Sequence, residues 1–122
     1  MQKRFLIVDD EPAILFAYKR LFKSPDLAVD TAGTIQKALE LLKKHKYKAV
    51  LTDLRLEIED DRGGLKLIDT IRSTDKEVKI ILATAYGSTE VENTAKDLGA
   101  DFYLEKPVPM DKLKKILTDL GL

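Results

Sequence analysis

Short, unbroken apolar runs alternate along this chain with longer stretches in which apolar residues recur every three or four positions. Runs of the first kind suit strands buried on both faces, and stretches of the second kind suit amphipathic helices. The pattern predicts strands at Arg4–Val8, Leu27–Thr31, Ala49–Thr52, Lys79–Ala83 and Asp101–Leu104. Between them, Ile14, Leu15, Tyr18, Leu21 and Phe22 fall on one helical face, and so do Ile35, Ala38, Leu39 and Leu42. Leu65, Ile68 and Ile71 mark a third helix, and Leu113, Ile116, Leu117 and Leu120 mark the last. The fourth, Ser88–Asp97, offers mainly Val91 and Ala95 to a core, so a looser hold and some freedom to move are expected of it. Asp10 or Glu11 is placed to cap the first helix ahead of Pro12, and Gly63-Gly64 is expected to break the chain before the third.

Strand and helix taking turns in this way imply a (βα)5 α/β fold, a doubly wound open parallel sheet with helices on both faces and right-handed crossovers. In such sheets the binding crevice lies at the C-terminal ends of the strands. Those ends carry Asp9 and Asp10 after the first strand, Asp53 after the third, Thr84 after the fourth and Lys106 after the fifth. Three converging carboxylates repel one another, and a cation is the natural compensation. Mg2+ suits carboxylate oxygens, waters and a phosphate ligand, with Mn2+ an acceptable substitute. On this reading Asp10 and Asp53 bind the ion directly and Asp9 acts through water. A carboxylate attacks a phosphoryl donor once charge on the transferred group is neutralised, giving an acyl phosphate, and Asp53 is the best-placed candidate. Lys106 offers a point charge and Thr84 a hydroxyl donor to the phosphate oxygens.

Composition narrows the field further. A chain of 122 residues with 44% hydrophobic content is the size of a single domain, 1–122, with one core. Lys plus Arg and Asp plus Glu number 21 each, so no net field draws the whole molecule to nucleic acid or an anionic membrane. The absence of Cys excludes disulfides, thiolate catalysis and Cys-ligated zinc, and a lone His45 cannot build a His-rich metal site. His45 is expected to be solvated near a helix C-terminus, among lysines. The apolar run in MQKRFLIVDD is cut short by two Asp, far from a signal or membrane segment, so a soluble, cytoplasmic protein is expected.

The segments LIVDDEP, LTDLRL, ILATAYG and GADFYLEKP resemble the motif blocks of response-regulator receiver domains from two-component systems, and the likeness spans nearly the whole chain. It implies a flavodoxin-like sheet of strand order 2-1-3-4-5, with Asp9 and Asp10 as the acidic pair, Asp53 as phosphoacceptor and Thr84 as switch hydroxyl. It also implies Tyr103 as switch aromatic, Lys106 as the conserved-type lysine, a metal ligand in the Arg55 backbone carbonyl, and a cis Lys106-Pro107 peptide. The implied partners are a sensor histidine kinase or phosphotransfer protein and a downstream effector or output domain. In the family, phosphorylation alters the surface of the fourth helix, fifth strand and fifth helix, here Ser88–Asp97 and Pro109–Leu120, where a phosphorylation-dependent homodimer is implied. TDLRL and TAYGSTE are similar to receivers attached to enhancer-binding transcriptional activators.

One departure stands out. The loop after Asp53, LEIEDDRGG, is longer and more acidic than is usual, and Glu57, Glu59, Asp60 and Asp61 read as solvated charges. No DNA-binding motif is present, so the expectation is a stand-alone regulator or the receiver part of a longer protein, without direct nucleic-acid or membrane binding.

Rival functions fit less well. A flavin carrier of the same sheet order needs a Gly/Ser/Thr-rich loop after the first strand, where DDEP stands. An aspartyl-phosphate hydrolase needs a second acid two residues after the nucleophile, where Arg55 stands. The expected protein is therefore a phosphoacceptor and not a turnover enzyme. The alternative is a degenerate receiver, an interaction module that works without phosphorylation, against which the complete acid, hydroxyl and lysine set argues. Arg55 and Tyr86, each two positions past a site residue, are expected to flank the acyl phosphate and restrict attacking water.

Overall fold

The computed structural model of the chain describes residues 3–56 and 63–122, so the acidic stretch Glu57–Asp61 lies outside the described residues. The elements run β1 (Lys3–Val8), α1 (Pro12–Phe22), β2 (Leu27–Ala32), α2 (Ile35–Lys44), β3 (Ala49–Thr52), α3 (Gly63–Thr74), β4 (Lys79–Thr84), α4 (Thr89–Leu98), β5 (Phe102–Glu105) and α5 (Met110–Asp119). The strands form one sheet in the order β2-β1-β3-β4-β5, every neighbouring pair parallel.

Alternation along each strand builds two cores. Phe5 and Ile7 of β1 join Leu51, Ile81, Leu113 and Leu117 on one face, and Leu6 and Val8 join Val50, Ile68, Ile80 and Leu82 on the other. Both layers are closed to water, with Phe5, Leu6, Ile80 and Ile81 fully buried. This is why β1, β3 and β4 carry unbroken apolar runs. In α4 the buried residues are Val91 and Ala95, the two apolar contacts its sequence offers. Ser88 accepts a capping hydrogen bond from the Val91 amide at 3.1 Å, and Gly99 ends the helix at φ 119°, where a side chain would be strained.

Three local expectations need correction. Gly63 and Gly64 do not break the chain ahead of α3 but form its first two residues, both buried. A Cβ on Gly64 would lie 2.1 Å from the Asp53 carbonyl oxygen, so the helix can press against the end of β3 only without one. Glu11 occupies the cap position of α1 but makes no side-chain capping bond; the Glu11 amide donates instead to the Asp9 carboxylate at 3.0 Å, and Asp10 is exposed. β5 begins at Phe102 because the Asp101 carboxylate turns to accept from the Ile80 amide at 2.9 Å.

One long-range tie was not foreseen. Arg72, near the end of α3, donates to the carbonyls of Asp75, Val78 and Gly99 and to the Asp101 carboxylate, at 2.7 to 3.2 Å. It thereby locks the α3–β4 turn to the α4–β5 turn at the end of the sheet away from the acidic residues. The Lys106-Pro107 peptide is cis. His45 caps the C-terminus of α2, half-exposed, its ring edge-on to Tyr47. Among the described residues, no helix is long and apolar enough to cross a membrane.

Candidate functional site

Register brings the acidic residues together. Val8 pairs with Thr52, so Asp9 and Asp53 leave the sheet side by side, and the Asp53 amide donates to the Val8 carbonyl at 3.1 Å. Thr84 pairs with Glu105, so Lys106 comes one step beyond β4, its amide held by the Thr84 carbonyl at 3.0 Å. The Lys106 ammonium then reaches back to Asp9 at 2.8 Å and Asp53 at 3.1 Å. The remaining oxygens of this pair take backbone amides, Asp9 from Glu11 and Asp53 from Leu54 at 2.7 Å.

Asp9 and Asp53 are buried, whereas Asp10 faces outward. Even so, Asp9, Asp10 and Asp53 each present a carboxylate oxygen within 4.8 Å of the others. One ammonium cannot balance three carboxylates in a half-dry setting. Burial, the dominant cause, and the neighbouring Asp9 push the Asp53 carboxyl above its usual range, although Lys106 pulls the other way. Burial disfavours the Lys106 charge, but its bond to Asp9 and its attraction to Asp53 outweigh this and hold the ammonium charged to higher pH. The same contact is thus sufficient for the lysine and insufficient for the aspartate. An uncompensated pocket of hard oxygen donors is what a small divalent cation requires, and the three residues fit one.

Asp53 opens onto a cleft of about 480 Å³, lined also by Asp10, Glu11, Pro12, Ala13, Arg55 and Tyr86. The Arg55 guanidinium lies 4.3 Å from the centre of the Tyr86 ring, so the two residues expected to flank the site stack on one another at its edge. Thr84 is buried at the end of β4 outside this lining, and its hydroxyl oxygen accepts the Tyr86 amide at 2.9 Å. Its hydrogen remains available for donation.

Tyr103 stands apart from the carboxylates. Its ring packs against the α2–α3–α4 side of the core, and its buried hydroxyl has no hydrogen-bond partner. The Ser88 amide approaches without completing a bond, and burial raises the phenol further above its usual range, with Glu105 and Glu92 adding to the effect. Gly87 makes this position possible, because a Cβ there would lie 1.5 Å from the Tyr103 oxygen. The role of Gly87 went unrecognised; a glycine directly after Tyr86, in the loop from β4 to α4, was the available signal.

The response regulator receiver domain family model matches residues 5–118. The chain belongs to this family. The receiver is 32% identical over 117 residues to the response regulator protein PilR of Pseudomonas aeruginosa, covering 96% of this chain and 26% of that protein. Thus it spans about a quarter of that relative. A CheY-like response regulator receiver domain from Methanospirillum hungatei superposes with a TM-score of 0.88 at 31% identity, covering 99% of this chain and 95% of the other. A response regulator from Burkholderia pseudomallei, solved with a phosphorylated aspartic acid, a calcium ion and citrate, superposes with a TM-score of 0.82 at 28% identity over 92% of this receiver and 64% of that chain.

Proposed function

We propose that this receiver takes a phosphoryl group from a phosphohistidine of a sensor histidine kinase or phosphotransfer protein onto Asp53, and so controls a downstream effector or output domain. The carrying observation is the placement of Asp53: buried, bonded to Lys106, clustered with Asp9 and Asp10, and open to a cleft. The phosphorylated aspartic acid of the Burkholderia relative supports the same chemistry here. A carboxylate oxygen of Asp53 forms the new bond to phosphorus as the bond from phosphorus to the imidazole nitrogen breaks, and the imidazole leaves with the electron pair.

Asp9, Asp10 and Asp53, with the Arg55 backbone carbonyl, would hold Mg2+, or Mn2+ in its place. When bound, the cation supplies neutralisation of charge on the transferred group. The calcium in the Burkholderia relative is consistent with a divalent site in this family. Once Asp53 is an acyl phosphate it no longer needs the whole Lys106 charge, and the ammonium is free to contact a phosphate oxygen while keeping Asp9. The Thr84 hydroxyl donates its hydrogen to another oxygen. Those contacts favour one arrangement of α4 and the loop before it, shifting a pre-existing equilibrium. Tyr103, whose unpaired hydroxyl sits beside Gly87 and Ser88, follows that loop. The altered surface comprises Ser88–Asp97 and Pro109–Leu120, through which a homodimer forms. The protein catalyses its own phosphorylation and dephosphorylation without turning over a substrate, and acts in the cytoplasm as one domain, alone or as part of a longer regulator.

Beryllofluoride, a phosphate mimic, tests this reading without a partner kinase. With Mg2+ it is expected to raise the melting temperature and shift amide resonances of α4 in the wild type but not in Asp53→Ala. Equal responses in both proteins would refute the site.

The stacked Arg55 and Tyr86 stand where water must approach the acyl phosphate. The double variant Arg55→Ala/Tyr86→Ala is therefore expected to lose phosphate faster than the wild type, measured as decay of phosphoprotein after donor removal. An unchanged decay rate would remove this shielding role.

A further inference from the structure

At the end of the sheet opposite the acidic cleft, the C-terminal turns of α2 and α3 do not meet. They leave a hollow of about 270 Å³ whose apolar lining comes from Leu39, Leu42, Tyr47 and Ile71. The polar side chains beside it are largely engaged within the protein. Thr70 donates to the Lys66 carbonyl, Thr74 to the Ile71 carbonyl and Tyr47 to Asp30, while the Asp75 carboxylate accepts the amides of Glu77 and Val78. The hollow therefore presents apolar surface with few unmet hydrogen-bonding groups. It falls below the roughly 300–1,000 Å³ of a typical small-molecule pocket, so one large apolar side chain suits it better than a cofactor.

The surroundings are basic, although the chain carries no net charge. Lys43 lines the hollow itself together with Asp75, and Lys44, Lys46 and Lys76 border the depression beside it with Asp75 and Glu77, so lysines outnumber carboxylates. Lys3, Lys46 and Lys48 line the next depression along the same end of the molecule. Lys43, Lys44 and Lys48 make no ion pair among the described residues, and the Lys46 contact to Glu77 is a solvated one at 4.0 Å. The helix dipole accounts for Lys43 and Lys44 at the end of α2, but not for Lys46 and Lys48 beyond it. The Arg72 tie holds the α3 side of this region in place.

We infer that this face is a docking site for an acidic segment of a partner protein carrying one apolar anchor side chain, which enters the hollow while flanking carboxylates meet the lysines. Charge complementarity selects an acidic partner, and an apolar hollow sized for one side chain selects a peptide over a nucleic acid or membrane. Of the two rings in its lining, Tyr47 is 3% exposed, and the half-exposed His45 stands edge-on to it. This surface is separate from the phosphorylation cleft, so the inference stands or falls independently of the function proposed above.

The test is a titration of isotopically labelled protein with a blocked acidic heptapeptide bearing Leu at its centre. Saturable methyl shifts are expected at Leu39, Leu42 and Ile71. Replacing the peptide's Leu with Ser should weaken binding about tenfold or more, as expected for losing one buried side chain. Lys43→Glu/Lys46→Glu should also weaken it about tenfold, in a manner that salt reproduces in the wild type. Thr70→Leu, a helix-compatible change that narrows the hollow, should keep the melting temperature but erase the preference for Leu over Ser. Absence of saturable shifts, or equal binding of the Leu and Ser peptides, would overturn the inference. So would a duplex oligonucleotide or anionic vesicles engaging these residues more tightly than the Leu peptide.

Discussion

Arg72→Met is expected to lower the unfolding free energy by about 1.5–3 kcal/mol, the range for losing part-buried hydrogen bonds to a charged donor. The Arg72 side chain is 15% exposed, and its bonds to Val78, Gly99 and Asp101 reach out of α3 to other segments. Met fills much of the same volume but leaves the carbonyls of Val78 and Gly99 without this donor, and the Asp101 carboxylate without its nearest cation. Lys79, 3.9 Å away, compensates only weakly. Because small domains are stable by about 5–15 kcal/mol, this single change removes a large fraction of the total. Urea unfolding of the two proteins measures it, and a loss below about 1 kcal/mol would mean that the tie is redundant.

The second large effect belongs to Lys106→Met. With the ammonium gone, Asp9 and Asp53 face one another without their shared counter-charge, and Asp53, already displaced upward, moves further up. The sign follows from linkage. A carboxyl whose folded-state pKa is raised destabilises the fold as pH climbs through that value and costs nothing at low pH, where it is neutral. The raised pKa of Lys106 in the wild type carries the same slope sign at higher pH: it supplies stability that is present through neutral pH and lost as pH rises through the folded value. The variant should therefore resemble the wild type in stability near pH 3 and fall behind it toward pH 7, by about 2–4 kcal/mol. Mg2+ should recover more stability in the variant than in the wild type, because the cation then replaces the missing charge. Phosphoryl uptake should remain severely slowed even at saturating Mg2+, because the charge needed at the phosphate oxygens is absent. A constant stability difference from pH 3 to pH 7 would show that packing, not charge, governs this position.

How much of this was legible beforehand depended on whether the relevant signal was local. The apolar runs of β1, β3 and β4 could be read directly, since burial on both faces leaves no polar position. Asp9, Asp53 and Lys106 could be placed at one edge because strand ends in a parallel sheet share an edge, while the neighbouring of β1 and β3 came from the strand order that the family resemblance implies and not from chain order. The Arg72 tie could not be found this way. Its partners Gly99 and Asp101 are 27 and 29 residues distant, and no periodicity marks their meeting. Gly63-Gly64 misled for a related reason: tandem glycines usually signal a helix break, whereas here the absent side chain at Gly64 admits the helix against Asp53. The adjacent Asp9 and Asp10 look equivalent as letters, yet one turns inward to Lys106 and the α1 amide while the other faces solvent. The Thr84 hydroxyl also accepts a bond, from the Tyr86 amide, and this depends on the turn that follows β4.

The most direct test of the account is chemical. The protein is incubated with acetyl phosphate and Mg2+, reduced with borohydride, which converts an acyl phosphate of aspartate to homoserine, and mapped by peptide mass. Homoserine at position 53 alone, appearing only when Mg2+ is supplied, is the predicted result. Label at another carboxylate, or none at all while the folded protein demonstrably binds Mg2+, would contradict it.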